Sequence, residues 1–64
     1  MLSAKNRKAF FDYLASPPHK AFAVDARGSY GWRSGRDSVA DAKKFAIAYC
    51  EKQTRTPCRI YARE

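Results

Sequence analysis

Two cysteines with seven residues between them, Cys50 and Cys58, are the side chains of this 64-residue chain best placed to do chemistry. The first falls near the end of a helical pattern and the second at the start of a strand pattern, so a bond between their sulfurs would staple two elements together. An even cysteine count at such a junction favours a disulfide, and with it an oxidising compartment. The competing state is a pair of reduced, half-buried thiols in a cytosolic protein. His19, the single histidine, adds one more soft ligand. His19, Cys50 and Cys58 lack the spacing of zinc fingers or ribbons, so no metal is expected.

The second candidate chemistry is charge. Thirteen Lys and Arg against six Asp and Glu leave a net charge of +7, a balance that fits an anionic partner such as nucleic acid, lipid headgroups or a polyanionic wall polymer. The charges are spread over every element, as they also are on a small protein that simply stays soluble. The sharpest grouping lies near the C-terminus, where Arg59, Tyr61 and Arg63 alternate with Ile60 and Ala62 and so are expected on one side of a strand. Arg33 joins them from a hairpin, with Arg36 and Arg55 on the rim. Arginine beside an exposed aromatic on a sheet can neutralise phosphates and stack bases. The same residues can instead shield the back of an antiparallel sheet, and a single aromatic is few for a stacking platform. Lys5, Arg7 and Lys8 form a second basic patch. Tyr30 and Trp32 could wall a sugar or peptide site, but as the bulk of a hairpin they are expected to pack.

Catalysis has no foothold in the sequence. No nucleophile sits with a base in a local signature, no carboxylate pair shares a helix face, and there is no phosphate loop or redox Cys-x-x-Cys. Gly28-Ser29-Tyr30-Gly31 is turn chemistry. A chain this short also has little room for a desolvated pocket of about 300 Å³. The expectation is a non-enzyme without a cofactor.

The elements that must position these residues read as αββαβ. Ser3 can cap a helix to about Ala15, with Phe10 and Leu14 on its apolar stripe and Phe11 and Tyr13 widening it, ended by Ser16-Pro17-Pro18. Ala21 to Asp25 reads as a strand, Asp25-Ala26-Arg27-Gly28 as a type I turn, and Tyr30 to Arg33 as the returning strand, where Gly31 and Gly35 both suit a bulge or a close backbone approach. Ser38 with Asp41 is a variant capping box. It opens a second helix from Val39 to about Lys52, with Val39, Ala42, Phe45, Ala46, Tyr49 and Cys50 on one face. Its small alanines predict a helix lying close to the sheet. Cys58 to Arg63 is the third strand, with Cys58, Ile60 and Ala62 inward. The pattern predicts a single α+β domain over residues 1–64: a three-stranded sheet, both helices on one face, the other face wet. The expected core is Phe10, Leu14, Phe22, Val24, Trp32, Val39, Phe45, Ala46, Tyr49 and Ile60.

A domain of this size buries only about 60% of the surface its unfolded chain exposes. A closed Cys50–Cys58 loop would add roughly 2.5 kcal/mol in the chain-entropy description, a large share of its stability. Met1-Leu2-Ser3-Ala4-Lys5 leads into a charged amphipathic stretch with no signal-peptide apolar run, and no segment is long enough to span a membrane. With a disulfide the sequence therefore reads as a mature or excised piece of a longer exported protein, periplasmic or secreted. With free thiols it reads as cytoplasmic.

The run His19-Lys20-Ala21-Phe22-Ala23-Val24-Asp25, followed by Gly28, Tyr30-Gly31-Trp32, Gly35, Ser38, Ala42, Cys50, Cys58 and Tyr61-Ala62, resembles short, poorly characterised cysteine-paired domains appended to exported proteins of Gram-negative bacteria. The likeness covers residues 19–62 and leaves the first helix outside. It implies a paired cysteine and an envelope context, and it carries no catalytic residues. Together these readings predict a small, monomeric accessory module that binds an anionic or protein partner through a basic face. The alternative is a cytoplasmic nucleic-acid-binding domain.

Overall fold

Prolines 17 and 18 fix where the first helix stops, and Ser38 fixes where the second starts. In a computed structural model, which describes residues 4–64 and side chains from residue 6 onward, the elements are α1 (Ala4–Leu14), β1 (Ala21–Val24), β2 (Tyr30–Arg33), α2 (Val39–Thr54) and β3 (Arg59–Arg63). The expected cap Ser3 lies outside the described residues. Ser38 sits in extended backbone and its hydroxyl accepts the Asp41 amide at 3.0 Å, so the N-cap half of the expected box forms, while the Asp41 carboxylate pairs with Arg36 at 3.2 Å. Helix α2 runs two residues past the expected Lys52. It ends on Arg55, whose left-handed φ of 60° lets its amide donate to the Glu51 carbonyl at 2.8 Å.

The sheet order is β2-β1-β3 and both pairings are antiparallel. The β1–β2 turn closes as predicted: the Asp25 carboxylate accepts the Arg27 and Ser29 amides at 3.0 and 2.8 Å, and Gly28 takes φ 89°. A disulfide joins Cys50 to Cys58, with their Cα atoms 6.2 Å apart, and ties the end of α2 to the start of β3.

The layering departs from expectation. The two helices lie on opposite faces of the sheet, not on one, and neither face is wet. Ala21 and Ala23 pack with Ala42, Ala46 and Cys50 of α2, whereas Phe22 and Val24 pack with Ala9 and Tyr13 of α1. The reason lies in β1 itself: Ala-Phe-Ala-Val is apolar on both sides of its pleat, the pattern of a strand covered twice. All four of its residues are buried.

The two layers differ in thickness. Against the centre of α2 the sheet presents Ala21, Ala23 and Gly31, with Ile60 of β3 packed beside them, and a β-carbon at Gly31 would come within 3.0 Å of the Ala46 carbonyl oxygen. Against α1 it presents rings. Phe22 stacks on Tyr30 at 5.6 Å and meets Phe10 and Tyr13 edge-on at 5.2 and 5.6 Å, while Tyr13 meets Trp32 at 6.1 Å. Tyr13, not Leu14, is the residue that α1 buries, and Leu14 is 51% exposed. Phe45 and Tyr49 are also corrections to the expected core. Both are 39% exposed, flanking the Ala42–Ala46–Cys50 row of α2, which is too close to the sheet to admit a ring.

Lys20 is the least expected core residue. Its ammonium is 2% exposed and lies 3.1, 2.9 and 2.9 Å from the carbonyls of Tyr13, Leu14 and Ser16, and 3.1 Å from the Glu64 carboxylate. It therefore serves as the C-terminal cap of α1, a helix with no basic residue in its own last turn.

Candidate functional site

Strand β3 carries Arg59, Tyr61 and Arg63, but a β-bulge breaks their alternation. Val24 pairs with Arg59 and Ala23 with Ile60, then Phe22 pairs with Ala62 and Ala21 with Arg63, so Tyr61 is the extra residue. Ile60 thus packs on the α2 side and Ala62 on the α1 side, where a regular strand would have sent both one way. The arginines separate accordingly. Arg59 lies opposite Val24 of the α1-side cluster, and Arg63 lies opposite Ala21 of the α2-side cluster.

The remaining expected residues are also dispersed. Arg33 lies opposite Ala21, and its guanidinium carbon sits 4.0 Å from the centre of the Tyr49 ring while its Nη1 donates to the Trp32 carbonyl at 2.7 Å. Arg36 covers Phe45 at 4.3 Å and pairs with Asp41 at 3.2 Å. Each arginine shields a ring that the tight α2 packing leaves outside the core. Arg55 is the left-handed cap of α2. One wet face holding Arg33, Arg59, Tyr61 and Arg63 with Arg36 and Arg55 on its rim does not exist in this fold.

What the fold brings together is a different grouping. Tyr61, turned by the bulge, meets Phe10 of α1 edge-on at 5.4 Å and Phe22 at 6.4 Å, and stays 48% exposed. Phe10 and Leu14 are one turn apart on α1, with Arg7 one turn before Phe10. Phe11, 68% exposed, and Leu14, 51% exposed, face outward beside the exposed Arg7 and Lys8. Over their full spans α1 and β3 hold Lys5, Arg7, Lys8, Arg59 and Arg63 against one acid, Asp12. The two patches that the sequence presents separately, Arg59 with Tyr61 and Arg7 with Lys8, thus share the α1 side of the molecule, joined through the Phe10–Tyr61 contact. In the sequence Phe11 and Leu14 read as parts of the core stripe. The cue to their exposure was Asn6, Ala9 and Tyr13, a second stripe three and four residues apart, which is the one that meets the sheet.

Asp25 is the group with the most perturbed proton affinity. Its carboxylate accepts the hydroxyls of Thr54 and Thr56, the latter at 2.8 Å, besides the two turn amides. Its pKa is lowered to about 2, first by the Thr54 hydroxyl and then by Thr56 and the Ser29 and Arg27 amides, against the burial that opposes ionisation. A carboxylate held ionised well into the acid range, hydrogen-bonded to the turn amides and to Thr54 and Thr56, is a joint between the β1–β2 turn and the end of α2, not an acid or base poised for transfer near neutrality.

His19 is exposed, in left-handed backbone with φ 58°, and its Nδ1 lies 3.1 Å from the Arg36 carbonyl. Among the described residues no group of three His, Cys, Asp or Glu side chains is arranged to hold a metal ion. Tyr30 and Trp32 border an open depression of about 400 Å³ with Arg33, Ser34 and Tyr49. Both rings pack in the aromatic layer, as expected. The outward carbonyls of the β2 edge are covered, that of Tyr30 by the Gln53 amide at 2.8 Å and that of Trp32 by Arg33. No helix among the described residues is long and apolar enough to cross a membrane. Comparison of the chain with models of known families, with curated proteins and with solved structures finds no match.

Proposed function

We infer that this chain is a small non-catalytic interaction module that binds an anionic partner through the flank formed by α1 and β3. The observation that carries this reading is the Phe10–Tyr61 contact, which sets Arg59 and Tyr61 beside the helix that bears Arg7 and Lys8. The cations gathered on this flank, with no acid from β3 among them, form a surface that gains charge neutralisation from an anionic partner. Arg33 and Arg36, committed to Tyr49 and Phe45, lie outside that surface. The Cys50–Cys58 disulfide supports an oxidising, extracytoplasmic setting for the module.

The test is retention on a polyanion. The protein and an Arg7→Glu/Arg59→Glu variant are titrated with inorganic polyphosphate and with a single-stranded oligonucleotide over a range of salt. Binding of polyphosphate by the wild type, lost in the variant while its melting temperature holds, supports the reading. Equal binding by both proteins, or none by either, overturns it. The nucleic-acid alternative requires log affinity for the oligonucleotide to fall linearly with log salt, by about 0.7 per phosphate contacted. Tyr61 is the one ring of β3, already edge-on to Phe10 and Phe22, so little stacking surface favours that alternative.

A further inference from the structure

We propose that the anionic partner of this flank is a lipid bilayer, and that the module docks by laying α1 into the headgroup layer with Phe11 and Leu14 inserted. The inference rests on the anion-binding reading and adds what the apolar side chains of α1 are for.

Helix α1 is amphipathic twice over. One stripe, Asn6, Ala9 and Tyr13, is buried against the sheet. The other holds Phe11 and Leu14, 68% and 51% exposed, on an eleven-residue helix that also carries exposed Arg7 and Lys8. A Phe and a Leu held out by a folded domain, with cations within a turn of each, have the composition of a helix that lies in a membrane interface. The opposing charges near this face are Asp12 and, at the C-terminal end of α1, the exposed Glu64 carboxylate that pairs with Lys20. The cations of α1 outnumber Asp12, the acid of the helix itself. Charge complementarity therefore selects anionic lipid.

The shape favours a bilayer over a folded macromolecule. The patch is the outward side of a helix, and a fluid headgroup layer closes around such a surface. Leu14 has no ring to stack on a base, so its exposure gains nothing from nucleic acid. Tyr61, half exposed, continues the patch next to Phe10, and an amphipathic ring of this kind suits a membrane interface.

The experiment uses vesicle flotation with equal parts phosphatidylglycerol and phosphatidylcholine, against phosphatidylcholine alone, with the polyphosphate titration run in parallel. The wild type should float with anionic vesicles at least tenfold more strongly than with neutral ones, by the order of effect that a few interfacial charges supply. A Phe11→Ser/Leu14→Ser variant should lose at least tenfold of the vesicle binding and keep its polyphosphate affinity, because the exposed pair adds burial but no charge. In a Phe11→Trp variant the emission should shift to shorter wavelength only with anionic vesicles. Polyphosphate binding without vesicle binding would overturn the lipid inference and leave the anion-binding reading standing. So would vesicle binding that the serine variant retains. Failure to bind either probe removes both.

Discussion

A β-carbon on Gly31 would lie 2.6 Å from the backbone nitrogen of Cys50. It arises because the residues at the centre of the α2–sheet seam are small, Ala42, Ala46 and Cys50 above and Ala21, Ala23 and Gly31 below, with Ile47 and Ile60 packed against that cluster. Gly31→Ala should therefore cost about 1–3 kcal/mol or more through overpacking alone, since backbone and not a flexible side chain stands in the way. Gly35→Ala is the contrasting case, because nothing lies within 4 Å of its would-be β-carbon while φ is +63°. Its cost is backbone strain of about 1 kcal/mol. Urea denaturation of the two variants checks the order, and Gly35→Ala proving the worse would refute the seam as the tighter constraint.

The disulfide fixes the lower end of that seam. The bond closes a loop between residues eight apart in sequence, for which chain entropy gives roughly 2.5 kcal/mol. At ~4–8 °C per kcal/mol in a domain of this size, reductant should lower the melting temperature by about 10 °C or more. Mass spectrometry should record a gain of two hydrogens. A melting curve indifferent to reductant would mean that the Asp25 hydrogen bonds and the Glu51 carboxylate, which accepts the Cys58 amide at 3.0 Å, hold the same junction unaided.

Asp25 predicts an acid limb. Its folded pKa of about 2 lies below the ordinary carboxylate value, so its contribution is complete above about pH 4 and is lost as the pH falls toward the folded value. Denaturation measured at intervals from neutral pH downward should show that loss. Asp25→Asn should be less stable near neutrality and flatter over the acid range. A variant with the wild-type slope would assign the acid limb to other carboxylates.

Lys20→Met should destabilise the domain by more than about 1–3 kcal/mol, the cost of one buried acceptor left unmet, because the ammonium serves three carbonyls at the end of α1. Its carboxylate partner is 70% exposed, so Glu64→Gln should cost no more than about 1 kcal/mol. Circular dichroism alongside thermal melting checks both. Equal costs for the two substitutions would shift the weight from the helix cap to the ion pair.

Phe45→Ala should cost about 1–2 kcal/mol, not the 3–5 of a core ring, because Phe45 is half covered and its cover is Arg36. The same substitution at Phe22, which is fully buried, should reach the core value of about 3–5 kcal/mol. Parallel urea titrations of the two variants give the comparison directly.

The order αββαβ, the Asp25 turn, the Ser38 cap and the close approach at Gly31 were all legible in the sequence, because each rests on chemistry local to a few residues. The placement of α1 was not taken from it, although Ala21-Phe22-Ala23-Val24 announced a strand with two dry faces. The bulge at Tyr61 left no mark, since no glycine flags it and Arg59 to Arg63 alternates perfectly on paper. That one extra residue parted Arg59 from Arg63 and divided the expected site. Lys20 escaped for a different reason: its burial depends on carbonyls contributed by α1 across a proline turn, which no local pattern encodes.

The unequal layers make the sheet an off-centre partition, with one thin compartment and one thick one. The thin compartment behaves as a gauge, because its dimension is the backbone radius itself and no repacking of rotamers can absorb an added methyl. The thick compartment behaves as a filling, where ring can be exchanged for ring or for branched aliphatic bulk with local readjustment. A library randomising both would return little beyond glycine, alanine, serine and cysteine at positions 21, 23, 31, 42 and 46. From positions 10, 13, 22, 30 and 32 it would return many large apolar solutions. New shapes of this domain are therefore reached from the α1 side, while the α2 side holds the chain to one geometry.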